Sequence, residues 1–577
     1  MPVTTQMTIE PQAKRQKRVP YTYPSQKRTI SIYSVASKHP LNVKPSGNSL
    51  LLGTNPELLQ QKQNSLGKLH VLPDELIMEV ISYVPDVESL LSLSHTSRVL
   101  YAFLYDEETW KKVYMRNIQH YDALAWLGSW RNTVLNIRGE SDVAVQMPEN
   151  LVCSDLLYRP FQCSQIDYTK LFARIIKEEE TYHRDAILGQ LGSLPHGRIQ
   201  RIKESEMGLD EFNTTYHDTP FILVNDDGSG RWPRWDFDTL VSRFPDITFT
   251  QESVRWKLGK YAQYLHNNKD ESPLYLFDCK SDAMSVLRKE YDAPAIFQED
   301  LFTVFNNTSA GDGDDNAGYN CRPDHAWIII GLARSGSTFH KDPNSTSAWN
   351  AAIVGRKIWI MLPPHVTPPG VGTDDAESEV TSPVSVAEWV LSGFFNDATK
   401  IEECVIGVTF PGECMHVPSG WWHTVINIDD SIAITQNFVP CSKLAPVLNF
   451  LKNKPDQISG FRLKEIKQCL DVIVKESGDV VLKEFLGACE KLGKDDLDED
   501  CGELAHLPRT PVFEVFKQLL VNNGKEELLN DALEKLEKIE LKNYEIETGK
   551  SKAWCSLTET NTMSGGFTFG FDESDDE

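Results

Sequence analysis

The stretch STFHKDPNSTSAWN (337–350) decides how this chain is read. His340 and Asp342 stand two positions apart, so on an extended strand an imidazole and a carboxylate leave the backbone on one face. Further along, PSGWWHTVINI (418–428) sets His423 behind Trp421 and Trp422 and ahead of β-branched residues suited to a pleated surface. Around both lie short runs of β-formers: FILVN (221–225), LYLFD (274–278), WIIIG (327–331), AAIVG (351–355), KIWIML (357–362), ECMHVP (413–418) and IAITQNFV (432–439). Gly, Pro and Asp turns divide them, and many short strands in one region predict a sandwich or barrel.

Two histidines and one carboxylate can occupy one face of an iron(II) ion and leave its other positions for reactants. An HxD pair alone is common by chance, so the surroundings have to carry the reading. His416 and His365 lie nearby and are read as ordinary polar strand or loop residues.

Outward from this region the chain becomes helical on both sides. VLPDELIMEVISYV (71–84) places Leu72, Leu76, Val80 and Val84 at helical spacing, with Pro73 where a first turn tolerates it. Leu90, Leu91, Leu93, Leu100, Phe103 and Trp110 continue the apolar pattern through short helices. YTKLFARIIKEEETY (168–182) also has helical periodicity, and no chemistry is visible between 117 and 205. After 443, LKNKPDQISGFRLKEIKQCLDVIV and ELLNDALEKLEKIELKNY return to helix. Amphipathic helices such as Leu528–Leu541 commonly pack on their own domain, although pairing of two chains stays open.

Length and charge bound the rest. At 577 residues the chain exceeds one core, and its net charge of -25 argues against a large nucleic-acid-coating surface. Residues 1–66 hold nine Lys/Arg against two acidic residues and read as disordered. Within them Lys14-Arg15-Gln16-Lys17-Arg18 is a candidate nuclear-import signal or nucleic-acid contact, which sets the expected location as the nucleus, with the cytoplasm open. The eleven cysteines are scattered without a CxxC spacing, which favours a reducing compartment over a zinc ribbon or disulfide framework. The apolar stretch Ala326–Ala333 is too short for a membrane span, and the start lacks an apolar leader, so no membrane partner is expected.

Two resemblances sharpen these readings. Leu-Pro-Asp-Glu-Leu at 72–76, Ser97-Arg98 and Asp106-Glu107-Glu108-Thr109-Trp110 resemble an F-box over about 69–115, which implies docking of a Skp1-like adaptor. DLLYRPFQ (155–162), SPLYLFD (272–278), RSGSTFHKDPNSTSAWN (334–350), GRKIWIMLPP (355–364) and PGECMHVPSGWWHTVINIDDSIAITQNFV (411–439) resemble the JmjC family, in its branch containing the bifunctional arginine demethylase and lysyl-hydroxylase. The second resemblance covers roughly 150–445. It implies that His340, Asp342 and His423 are the iron ligands and that Lys357 meets the distal carboxylate of 2-oxoglutarate. It also implies cosubstrate contacts from Thr435, Asn350 and Tyr275, with Asn437 lining the same pocket. Ser337 stands where the branch has Thr and keeps the hydroxyl, while Lys341 replaces an apolar residue and, on a strand, points away from the metal.

The implied fold is α+β and multidomain: a helical F-box, a double-stranded β-helix (cupin or jelly-roll) JmjC core, and C-terminal helices. The expected parts are a disordered basic segment 1–66, an F-box-like unit 67–116, a helical connector 117–205, the oxygenase domain 206–445, a helical region 446–546 and a disordered acidic tail 547–577. The implied chemistry uses Fe(II), 2-oxoglutarate and O2 to hydroxylate a protein side chain, or to demethylate it when the attacked carbon is an N-methyl. Lysine or arginine of a basic protein or peptide is the expected target, and the acidic loops GDGDDN (311–316) and DDAESE (374–379) offer electrostatic steering toward it. Hydroxylation ranks ahead of histone demethylation because no chromatin-reading motif or zinc-binding CxxC module accompanies the core. A ligase adaptor that uses the cupin only for recognition is the competing reading, and it can coexist with catalysis.

Overall fold

The computed structural model describes residues 56–138, 167–491 and 511–560, apart from 191, 193, 227–229, 269, 271, 308–317, 375 and 383–384. The import candidate, the stretch 155–162 and the loop 311–316 lie outside the described residues.

Five helices open the described chain: α1 (Pro56–Leu66), α2 (Asp74–Ser82), α3 (Val87–Ser94), α4 (Arg98–Leu104) and α5 (Glu107–Arg116). The Asp86 carboxylate and Ser97 hydroxyl accept from Ser89 N and Leu100 N, fixing the starts of α3 and α4. Helix α1 begins inside the segment expected to be disordered; Leu66 is buried and Lys62 pairs with Asp74 at 2.7 Å, which ties it to α2. The apolar row read from the sequence is also corrected. Ile77 and Ile81 face the core, whereas Leu76 and Val80 are 49% and 46% exposed. Helix α2 is apolar on two sides, and periodicity cannot say which side the protein itself covers.

The helical unit joins the β-region through aromatic packing. Trp130 of α6 (Trp130–Val134) stands edge-on to Tyr114 at 5.1 Å and lies 5.7 Å from Trp256. Lys260 Nζ donates to Tyr114 Oη and the Tyr121 carbonyl beneath these rings. One apolar core therefore runs from the first helices into the larger sheet.

That sheet has nine strands: β1 (Gln200–Lys203), β2 (Phe221–Val224), β3 (Thr248–Gln251), β4 (Val254–Lys257), β5 (Leu276–Asp278), β6 (Ala326–Gly331), β8 (Ser347–Val354), β11 (Cys414–Val417) and β13 (Ser431–Phe438). Their spatial order is β1-β2-β11-β8-β13-β6-β5-β3-β4. The facing sheet contains β7 (Gly336–His340), β9 (Lys357–Leu362), β10 (Val405–Thr409) and β12 (Trp422–Asn427), ordered β10-β9-β12-β7. All six residues of KIWIML are buried, because β9 has the cavity on one face and a second apolar layer on the other. The run AAIVG is the end of the longer β8, and β5 starts only at Leu276. Leu274 N and Tyr275 N donate to Tyr264 Oη and Glu252 Oε1 instead of entering the ladder. The result is the two-sheet cupin of the expected α+β architecture, with helices before and after it.

Helix α7 (Ala173–Ile187) packs outside the smaller sheet and carries a buried carboxylate, Glu179, in the connector where no chemistry was visible in the sequence. Arg201 bridges Glu179 at 2.7 Å and Glu413 at 2.8 Å and also donates to the Val408 carbonyl. Arg201→Met would leave two carboxylates buried without their shared cation, so it is expected to cost ~3–5 kcal/mol in chemical denaturation.

After the cupin, α8 (Leu444–Asn453), α9 (Leu463–Ser477), α10 (Val480–Glu490), α11 (Pro511–Asn522) and α12 (Glu526–Thr560) enclose a separate core. Leu529, Ala532 and Leu536 bury one face of α12 in it, so this part of the helix packs on its own chain. Helix α12 runs to Thr560, past the 547 boundary set for a disordered tail. No helix among the described residues is long and apolar enough to cross a membrane.

Candidate metal centre and cosubstrate cavity

His340 is the last residue of β7 and lies directly across the ladder from His423 of β12. Asp342 is past the strand end, where the sequence reading had placed it on the strand. Its backbone stays extended (φ -64°, ψ 147°), which keeps its side chain on the same side, and Pro343 then starts a tight turn. One ligand atom from each of His340, Asp342 and His423 falls within 4.8 Å of the others.

Local carbonyls fix both imidazoles. His340 Nδ1 lies 2.8 Å from the Thr338 carbonyl and His423 Nδ1 lies 3.2 Å from the Trp421 carbonyl. A carbonyl only accepts, so each Nδ1 carries a proton and Nε2 is the ring nitrogen left to act as a ligand. Burial, reinforced by His340, pushes His423 well below the usual histidine range. Burial raises the Asp342 carboxyl to about 6 against the opposing pull of His340 and Asn437, and Asp342 Oδ2 is buried without a hydrogen-bond partner. The two Nε2 atoms and a desolvated carboxylate with a free oxygen are the donor set of a divalent first-row metal.

The cosubstrate candidates line the same cavity, which encloses about 610 Å³. Lys357, at the start of β9, is 1% exposed. Its Nζ lies 3.2 Å from Tyr275 Oη, and no carboxylate among the described residues pairs with it. Burial lowers its ammonium to about 7. Asn350 and Thr435 are cross-strand partners facing the cavity; Asn350 Oδ1 is buried without a partner, while the Thr435 hydroxyl donates to the Trp349 carbonyl at 2.8 Å. That donor must turn before it can serve an incoming carboxylate. Asn437 donates to Thr346 Oγ1 at 2.7 Å and supports Asp342, and Ser337 lines the wall near the metal candidates. All nine residues proposed from the sequence thus border one cavity.

Gly331 makes room for the Tyr275 ring: a Cβ there would fall 2.5 Å from the ring and from Ser335 Oγ. Gly331→Ala is expected to displace Tyr275, costing ~1–3 kcal/mol of stability as an overpacked site. It should also raise the KM for 2-oxoglutarate, read by steady-state succinate formation.

The remaining sequence candidates fall elsewhere. His416 is enclosed by Phe212, Phe221 and Phe297, and His365 pairs with Glu403 at the surface. Lys341 points outward, over Trp422 and onto Glu377 at 2.7 Å. This pairs one acid of 374–379, the loop read from the sequence as steering a basic substrate. Glu377 is taken by Lys341 and reaches Lys454 at 4.0 Å, and Asp374 accepts from Ser378 and Glu379 of its own turn. Sequence reasoning missed Trp359, which stacks 6.2 Å from His423 and is anchored by Thr409, although its place two residues after Lys357 marks it for the same face. It also missed Glu252, Phe277 and Trp327 on the cavity wall. Glu252 arrives from a distant hairpin and carries no local signal.

A cupin-like domain model matches residues 203–443, and an F-box-like model matches 69–116. The arginine-specific demethylase JMJ22 of Arabidopsis thaliana is 34% identical over 448 residues, covering 75% of this chain and 79% of the relative. The lysine-specific demethylase JMJ21 of the same plant is 31% identical, covering 66% of this chain and 38% of the relative. The bifunctional arginine demethylase and lysyl-hydroxylase psr-1 of Caenorhabditis elegans is 31% identical, covering 49% and 72%. The chain belongs to the JmjC-type cupin-like family and carries an F-box-like unit ahead of its cupin.

Proposed function

We propose that this protein is an oxygenase that uses iron(II), 2-oxoglutarate and O2 to hydroxylate lysine or arginine side chains of proteins. Demethylation is the same step on an N-methyl carbon, whose hydroxylated product releases formaldehyde. One observation carries the reading: two imidazole Nε2 atoms and a desolvated carboxylate share one cavity with a buried lysine that has no anionic partner among the described residues. Relatives named for arginine demethylation and lysyl hydroxylation support it.

Bound iron supplies oxygen activation coupled to decarboxylation of 2-oxoglutarate. His340, Asp342 and His423 would hold the ion at the cavity wall. Lys357 receives the distal carboxylate of the cosubstrate and thereby gains the counter-charge it lacks. Tyr275, Asn350 and Thr435 complete the polar lining, and the apolar strands around them keep water out. The test is succinate formation by purified protein with and without candidate peptides, joined to mass spectrometry of cellular proteins for oxygen added to lysine or methyl lost from arginine or lysine. No peptide-stimulated succinate in iron-loaded protein would remove the proposal.

A second role is favoured by the surface of α2. Val71, Leu76, Val80 and Tyr83 are 73%, 49%, 46% and 75% exposed and form an apolar face suited to a Skp1-like adaptor. Leu76→Asp with Tyr83→Asp is expected to abolish adaptor co-purification while leaving circular dichroism unchanged, since neither side chain is in the core. Nuclear import through Lys14–Arg18 belongs to the same proposal and is checked by imaging a variant with those bases replaced.

A further inference from the structure

Strand β5 begins at Leu276, which pairs with Gln251 and Ile330, so the ladder does not reach the two residues before it. Side chains hold their amides instead. Leu274 N donates to Tyr264 Oη at 2.9 Å, and Tyr275 N donates to Glu252 Oε1 at 3.2 Å. Tyr275 then carries its hydroxyl into the cosubstrate cavity, 3.2 Å from Lys357 Nζ.

Tyr264 stands on the helix Leu258–His266 and is fully buried. Its hydroxyl accepts from Leu274 N and donates to Asp270 Oδ2 at 2.7 Å. On the other side of that carboxylate is Trp130, whose Nε1 lies 3.0 Å from Oδ1 and 3.1 Å from Oδ2. Trp130 is buried at the start of α6, and Arg131 N beside it donates to Glu107 Oε2 at 3.1 Å, which ties α6 to α5. A continuous run of hydrogen bonds therefore leads from the helical unit to the backbone that carries Tyr275. The Asp270 carbonyl adds a branch, accepting from Arg334 Nη1 at 3.1 Å just ahead of β7.

A carboxylate and a phenol set among the rings of Trp130, Trp126 and Trp256 pay a desolvation cost that apolar side chains of similar size would avoid. Stability alone therefore does not account for them. What they add is direction, because each bond has a fixed geometry and together they locate Leu274 where no strand partner does. Tyr275 is the next residue, and its hydroxyl, at the far end of a ring, shifts further than the peptide that carries it.

We infer that Trp130 and Asp270 are positioning residues of the cosubstrate site, acting through Tyr264 on Tyr275, so that the helical unit completes a pocket built on the cupin. The inference rests on the oxygenase reading and extends it to Trp130, which lies outside both the cupin-like and the F-box-like matches.

Two measurements on full-length protein test it. Hydrogen–deuterium exchange of the 272–278 segment, without cosubstrate, reads the anchor itself; equilibrium dialysis of radiolabelled 2-oxoglutarate against protein holding manganese(II) in place of iron reads the site. Trp130→Phe keeps a ring and removes the N–H, and Tyr264→Phe removes the hydroxyl shared by Leu274 N and Asp270. Both are expected to speed exchange in the segment and to weaken 2-oxoglutarate binding about three- to tenfold, with manganese still bound. Trp256→Phe is the packing control: it removes a different indole N–H of the same cluster, the one bonded to Asp122 at 2.9 Å, and should leave both readings at wild-type values. Unchanged exchange in Trp130→Phe and Tyr264→Phe, or an equal loss of affinity in Trp256→Phe, would overturn the inference. Tight 2-oxoglutarate binding with unchanged exchange leaves the oxygenase reading standing and this one lost. Faster exchange in the variants of a protein that binds no 2-oxoglutarate keeps the anchor of Tyr275 and removes the oxygenase reading.

Discussion

Replacing His340 by alanine is expected to reduce iron retained after dialysis from stoichiometric to trace, and succinate formation to the level of chelator-treated protein. The remaining donors, His423 and Asp342, cannot define a face by themselves, and the carboxylate would stay desolvated with only a bidentate share in the ion. Asp342→Asn keeps the shape but removes the charge that offsets the cation, so the same loss is expected. His340 sits at a strand end and is only half-buried, so the fold should survive and the effect should lie on metal binding. Stoichiometric iron in the His340→Ala protein would dissolve the proposed centre.

Lys357→Met is expected to have opposite effects on the cosubstrate-free protein and on catalysis. A buried dicarboxylate end without its cation costs ~3–5 kcal/mol, so the KM for 2-oxoglutarate should rise between about a hundredfold and a few thousandfold. In the absence of cosubstrate the same change removes a buried charge with no counter-ion, so thermal stability should rise. The pH dependence has a definite sign. Burial lowers the Lys357 ammonium from the ordinary 10.5 to about 7, so between those values the unfolded chain binds the extra proton. Wild-type stability contributed by this group therefore increases as pH rises from about 7 to 10.5. Denaturation midpoints of the two proteins should converge over that window.

The metal candidates were legible because their spacing is local, whereas the cosubstrate candidates were reached through the family resemblance. His340 and Asp342 are two apart, and Lys357 and Thr435 sit in strands whose alternation directs them inward. The position of Asp342 was reached for an incomplete reason: the strand ends before it, and extended backbone ahead of Pro343 does the work. Other features stayed hidden where a side chain's partner is remote in sequence. The pairing of Glu377 with Lys341, and its approach to Lys454, arises only in the folded chain and could not be read from the acidic run 374–379. Leu76 and Val80 read as core because a helix with two apolar sides gives the same period from either side.

The sequence by itself determined the β-rich core between helical ends, the paired metal motifs and the family, since each depends on residue type and on spacings within one strand or turn. Tertiary structure alone decided that a carboxylate from the β3–β4 hairpin and an aromatic pair from β5 and β6 both line the cavity that holds the metal set. It also decided which face of α2 is left uncovered. Both outcomes depend on which surfaces the two sheets and the helical unit bury against each other, and burial is a property of the assembled chain that no local pattern carries.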